Sequence, residues 1–254
     1  MRALKGKTQL TMLFVETLDE ARAAAAAGID ILSIIAPLWN PEMRQAAGDC
    51  FVQVGLPYGE LCTYEDYLRA AHAAIRVGGD CCYCAASIDT ITKLAAEGIP
   101  VVGHVGLIPS KATWTGGFRA VGKTADTAML VWHQVKALET AGAFGAELEV
   151  VPDRVASEIA KRTTLLMFSM GAGTGGDAQY LFSEDVLGFT RGHRPRHAKV
   201  YRNFQAEYER LQAERIAAFR EFKADVESGA YPAQAHLVRV EDAEFAAFLA
   251  RLPD

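Results

Sequence analysis

From its start to about residue 190 the chain alternates short apolar, β-branched runs with Ala-rich stretches whose apolar positions recur every three to four residues. The runs Gln9–Val15, Asp30–Ile35, Cys50–Leu56, Asp80–Ala85, Pro100–Val105, Gly145–Val151 and Thr164–Met170 read as strands. Between them Leu18–Ala27, Tyr64–Arg76, Ile88–Ala96, Ala125–Ala141 and Arg154–Lys161 read as helices. Three of these helices run into a glycine (Gly28, Gly98, Gly142), which suits a left-handed cap, and Thr63 and Ser87 stand at N-cap positions. Strand–helix alternation with short connections predicts a parallel sheet covered by helices. Seven clear strands and a faint eighth favour an α/β fold closed into a (β/α)8 TIM barrel over an open doubly wound sheet. No GxGxxG separates the first strand from the first helix, which argues against a dinucleotide fold.

The end of the chain has a different pattern. Gly192-His193-Arg194-Pro195-Arg196 is a basic turn, and Tyr201 to about Glu227 reads as one long charged helix that Gly229 stops and Pro232 keeps from resuming. An apolar stripe at Phe204, Tyr208, Leu211, Ile216, Phe219 and Phe222 must pack on something, which favours assembly. We expect one barrel domain over 1–254, with 195–254 as its helical extension.

Composition narrows the class. Half of the 254 residues are apolar and 22% charged, enough for one large core. A net charge of −5 argues against a nucleic-acid partner. No apolar run nears the roughly 20 residues that cross a bilayer, and the start does not read as a signal peptide. The expectation is a cytoplasmic protein with a small-molecule substrate and neither a membrane nor a nucleic-acid partner. The five cysteines (Cys50, Cys62, Cys81, Cys82, Cys84) fit neither a zinc knuckle nor a CxxC redox site, so reduced packing thiols are expected.

In a parallel barrel the chemistry belongs at the C-terminal strand ends. Three segments there carry suitable residues. Gly103-His104-Val105-Gly106 puts a histidine at the end of an apolar strand, before a loop containing Lys111, Gly116-Gly117-Phe118-Arg119 and Lys123; the alternative is a core histidine satisfied by backbone. Glu147 and Glu149 share one face of an apolar strand. If that face is the lumen, burial and mutual repulsion raise one carboxyl toward neutral pH, as general acid/base work requires; the alternative is a solvent-facing strand end. Ser169-Met170-Gly171, opening a glycine-rich turn that ends at Asp177, can offer backbone N–H groups to an anion, although glycine turns after strands are common.

In order along the chain, GHVGLIPS, GGFRAVGK, AGAFGAELEVVP, MGAG and DVLGF resemble the ketopantoate hydroxymethyltransferase family, with further similarity over TMLFVETLDEARAAAAAGIDILSI and LPYGELCTYEDYLRAA. The resemblance covers about residues 8 to 190. It implies a (β/α)8 barrel of the phosphoenolpyruvate mutase and isocitrate lyase superfamily, usually a homo-oligomeric decamer. It also implies hydroxymethyl transfer from methylenetetrahydrofolate to a 2-oxo acid through an Mg-stabilised enolate, a pantothenate-pathway step. Glu149 matches the family's catalytic glutamate and His104 its motif histidine.

The family's metal-binding carboxylates are absent. Their positions fall on Ala36 in Ile35-Ala36-Pro37, on Gly55 before Leu56-Pro57-Tyr58, and on Ala85; the family's keto-acid lysine is Tyr83. No protein metal ligand is therefore assigned. Parity places Tyr83 and Ala85 in the lumen and turns Cys82 and Cys84 to the helix layer. The expected site has Glu149, His104 and Tyr83 as catalytic groups. Glu147, Lys111, Gly116, Gly117, Lys123, Ser169 and Gly171 would hold substrate, with Lys111, Arg119 and Lys123 as the cations able to reach in. The activity implied is aldol-type carbon–carbon chemistry, or related lyase or hydrolase chemistry, on a small carbonyl or 2-oxo acid compound. Two alternatives stand beside it. One is an authentic 3-methyl-2-oxobutanoate hydroxymethyltransferase whose metal is held by Glu16, Glu147 or Glu149. The other is a barrel that has kept binding or assembly and lost chemistry.

Overall fold

The structure is a computed structural model that describes residues 1–57 and 59–253. Tyr58, in the Leu56-Pro57-Tyr58 motif, lies outside the described residues. Eight parallel strands close into a barrel in sequence order. They are β1 (Leu10–Phe14), β2 (Ile31–Ile35), β3 (Phe51–Gly55), β4 (Cys81–Tyr83), β5 (Val101–Gly106), β6 (Gly145–Glu149), β7 (Leu166–Met170) and β8 (Ala178–Phe182). The outer helices are α1 (Leu18–Ala26), α2 (Pro41–Ala46), α3 (Tyr64–Arg76), α4 (Ile88–Ala96), α5 (Ala125–Thr140), α6 (Asp153–Lys161) and α7 (Ser183–Leu187). Capping explains several starts: the side chains of Thr17, Thr63 and Thr124 accept the third helical N–H of α1, α3 and α5. Two of these outer helices were not expected from the sequence. α2 is only six residues, begun by Asn40 and Pro41, and α7 is five; neither is long enough to show a period.

No helix joins β7 to β8. Residues 171–177 instead return along the outer face of β7. There Ser169 Oγ donates to Gly173 O at 2.8 Å, and the N–H of Asp177 donates to Met167 O at 2.7 Å. Glycine is required for this return: a Cβ on Gly175 would sit 2.1 Å from Ser157 Oγ of α6, and one on Gly176 2.9 Å from Met167 O.

The core has two shells, set by the period of two along each strand. Val52, Val54, Cys82, Cys84, Leu148 and Met167 face the helix layer. Leu10, Met12, Ile31, Cys81, Val102, Leu166, Phe168 and Ala178 fill the lumen, so the lower barrel is an apolar plug and the polar residues lie above it. Among the described residues no helix is long and apolar enough to cross a membrane.

The chain divides into two compact units, Met1–Arg202 and a second that begins at Asn203. The second unit, 203–254, holds α8 (Phe204–Ser228) and α9 (Asp242–Leu249). Gly229 ends α8 in a left-handed conformation at φ 77°, as the sequence suggests. Within this unit Phe222 meets Tyr231 edge-on at 5.6 Å, and none of its described residues is buried.

Candidate active site

Lumen-facing positions at the upper strand ends are Ser33, Gln53, Tyr83, His104, Glu147, Glu149 and Tyr180. They form a polar ring on the apolar plug. The Tyr83 hydroxyl and His104 Nδ1 are 2.8 Å apart. His104 Nε2 lies 3.0 Å from Glu149 Oε2, but off the line a hydrogen bond needs, so Nε2 is buried without a hydrogen-bond partner. Glu147 Oε2 stands 3.6 Å from His104 Nδ1, and Glu147 Oε1 accepts from Gln53 Nε2 at 2.7 Å. Gln53 Nε2 also donates to Ser33 Oγ at 3.3 Å, and its own Oε1 is buried without a partner.

The backbone fixes the direction of Glu149. It pairs in register with Gly106, whose φ of +86° suits glycine, and a Cβ there would stand 2.4 Å from Glu149 O. The next residue, Val150, is held at φ 50°, a costly conformation for a β-branched residue and the kind of local strain that gathers at functional sites.

Burial dominates the electrostatics. It pushes the Glu147 carboxyl up to about 7, with Glu149 adding to the rise and His104 and Gln53 opposing it. The same desolvation drives the Tyr180 phenol well above its ordinary value, reinforced by Glu147 and opposed by the hydrogen bond to Ser33. Cys82 and Cys84 are pushed up to about 12 and about 11 by burial in the helix layer, so neither is a ready nucleophile.

Above the ring opens a cavity of about 610 Å3. Its walls are largely aromatic and aliphatic, including Phe14, Ile35, Phe118, Met170 and Phe182, and its rim carries Asp185, His193 and His197. Asp185 is buried and accepts from Thr190 Oγ1 at 2.6 Å. Burial lowers the His197 imidazole, whose Nδ1 would lie 2.6 Å from a Cβ on Gly171.

The structure therefore brings Glu149, His104, Tyr83 and Glu147 together, and places the other expected substrate-holding residues elsewhere. Ser169 has helix-layer parity and spends its hydroxyl on Gly173 O. Gly171 makes room for His197 without lining the cavity. The N–H groups of Gly116 and Gly117 are used within their own loop, on Thr113 O and Ala112 O. Lys111 opens into a side pocket of about 440 Å3 that shares His104 with the central cavity, and Lys123 into an outer groove of about 820 Å3 between α5 and α6. In these loops the Ser169 hydroxyl and the N–H groups of Gly116 and Gly117 hydrogen-bond to the loops' own carbonyls. Sequence reasoning missed Gln53, Tyr180, Asp185, His193 and His197. Parity along β3 would have flagged Gln53, the one polar residue among apolar neighbours there.

The metal of the resembled family does not fit these residues. Ala36, Gly55 and Ala85 supply no side-chain oxygen, and a hard dication needs several. Glu16 does not line the cavity, and among the described residues no three His, Cys, Asp or Glu side chains converge as metal donors.

Comparison with known proteins gives a consistent picture. The family model described as ketopantoate hydroxymethyltransferase matches residues 41–234. The 3-methyl-2-oxobutanoate hydroxymethyltransferase of Cenarchaeum symbiosum (strain A) is 36% identical over 200 residues, covering 77% of this chain and 73% of that protein. The enzyme of the same name from Thermus thermophilus is 30% identical over 261 residues, covering 92% of this chain and 96% of that protein. Among solved structures, the phosphoenolpyruvate phosphomutase of Streptomyces platensis subsp. rosaceus superposes with a TM-score of 0.50 at 13% identity, covering 98% of this chain and 94% of that one, a likeness of fold alone.

Proposed function

The chain belongs to the ketopantoate hydroxymethyltransferase family, an enzyme family, and from that premise we propose that its barrel mouth performs aldol-type carbon–carbon chemistry on a small carbonyl compound by general acid/base catalysis. The observation that carries this reading is the chain Tyr83–His104–Glu149, its last two residues buried, with Nδ1 at 2.8 Å from the phenol and Nε2 at 3.0 Å from the carboxylate. Glu149 takes the proton from the carbon next to the carbonyl. The electron pair moves onto the carbonyl oxygen, which receives a hydrogen bond from His104 Nε2–H while the Tyr83 hydroxyl donates to Nδ1 and fixes that tautomer. As the carbonyl re-forms, the enolic carbon bonds to the carbon of an aldehyde, whose C=O π bond opens and whose oxygen takes the proton back from Glu149; the same steps in reverse break that bond. Glu147, raised to about 7 and held by Gln53, adds a second proton-holding group beneath the ring. No step uses a bound dication, because the residues at the family's metal positions supply no oxygen donor.

The test is exchange of the hydrogen next to the carbonyl for solvent deuterium, followed by NMR. We expect Glu149→Gln to slow exchange by roughly 100-fold or more, within the range for removing a general base. Unchanged exchange in folded Glu149→Gln protein would refute the proposal. Family membership favours a second reading, authentic ketopantoate formation. Rescue of a pantothenate auxotroph by the wild-type protein would support it.

A further inference from the structure

We infer that this mouth selects a neutral carbonyl compound with an apolar or aromatic body over a 2-oxo acid anion. The inference rests on the carbonyl chemistry proposed above and narrows its substrate class. Three carboxyl groups, Glu147, Glu149 and Asp185, line the cavity, and no lysine or arginine is among its described lining residues. Its other ionisable basic groups are imidazoles rather than fixed cations. None of the cations expected from the sequence lines the cavity: Lys111 lines a side pocket that shares only His104 with it, Lys123 lines an outer groove, and the Arg119 guanidinium lies near Gly116.

A carboxylate entering here leaves water for a space lined by carboxyl groups, with no lysine or arginine among the described lining residues to receive it. A ketone meets no such cost. Its oxygen finds His104 Nε2, a buried atom without a hydrogen-bond partner, and its hydrocarbon finds Phe14, Phe118, Met170 and Phe182. The volume of about 610 Å3 leaves room for more than a branched four-carbon chain.

Two ligand pairs isolate the charge: benzylacetone and isopropyl methyl ketone, each against the 2-oxo acid in which a carboxylate replaces the ketone methyl. Isothermal titration of the full chain, with EDTA and again with Mg2+, gives the dissociation constants. We expect each ketone to bind at least tenfold more tightly than its acid under both conditions. In Phe118→Lys, which adds a cation and removes one apolar wall residue, we expect each acid to gain at least tenfold relative to its ketone. Acids that bind as tightly as the ketones, or do so once Mg2+ is present, overturn the inference, as does undetectable binding of both ketones. Deuterium exchange separates this outcome from failure of the proposed chemistry. Ketone selectivity with exchange unaffected by Glu149→Gln removes the chemistry and leaves the selectivity. Acid preference with exchange lost in Glu149→Gln does the reverse.

Discussion

Glu147 and Glu149 stand two residues apart on one strand, and their neighbours give them different work. Glu149 faces the unpartnered Nε2 of His104 at the open mouth, whereas Glu147 lies lower, tied to Gln53 and facing His104, Glu149, Tyr180 and Cys81. Burial raises the Glu147 carboxyl from 4.5 to about 7, so the folded protein binds that proton more tightly than the unfolded chain. Its contribution to stability is complete below pH 4.5 and falls away as pH rises through 7. The shift corresponds to a loss on the order of 3 kcal/mol. We therefore expect urea unfolding of the wild type to lose about 2 to 3 kcal/mol more between pH 5 and pH 8 than Glu147→Gln, which mimics the protonated acid. Parallel pH dependence in the two proteins would show Glu147 to be ionised at neutrality. Parity along the strand identified the shared face, but it carries no information on depth, and depth separates the two roles.

At the scale of elements, β5 and β6 work as a pair. Gly106 at the end of β5 has its Cα beside Glu149, so the glycine sets how closely the two strand ends approach. Gly106→Ala would force a methyl to within 2.4 Å of Glu149 O and 2.7 Å of Val151 Cγ2, in a backbone region that suits glycine. We expect a loss of roughly 1 to 3 kcal/mol in stability, as for other overpacked sites. Deuterium exchange should fall at least tenfold in protein that is still folded, because the displaced group is the strand end that aims Glu149. Unaltered exchange alongside lowered stability would make Gly106 a packing residue only. The element level was also where the sequence was least legible. The β7–β8 return has the glycines of an anion cradle, yet packing against Ser157 and Met167 explains Gly175 and Gly176. Glycine composition alone does not distinguish a backbone that approaches a ligand from one that approaches another helix.

For the whole molecule, strand–helix alternation and parity were enough to read a closed barrel, its two shells and the inward face of β6, because these follow from periods of two and of about four. What the sequence could not supply was convergence. Tyr180 lies on the faint eighth strand, and His193 and His197 come from a turn legible only as basic; barrel closure brings all three to one mouth with His104. The same closure makes the metal question testable. Gly55 has room for a side chain, its nearest neighbours standing 3.7 Å from an added Cβ, so acids can be restored at the three strand-end positions. We expect deuterium exchange by the wild type to be unchanged by EDTA or added Mg2+, since each mouth carboxylate already has a polar neighbour in the protein: Gln53 for Glu147, His104 for Glu149 and Thr190 for Asp185. In Ala36→Asp, Gly55→Asp, Ala85→Glu combined, Mg2+ binding should become measurable by titration, because three added carboxylates give a hard cation an oxygen donor set. Exchange by the wild type that stops on chelation and returns with Mg2+ would mean that the existing carboxylates recruit the ion despite their neighbours, and the acid/base reading would have to be rebuilt around it.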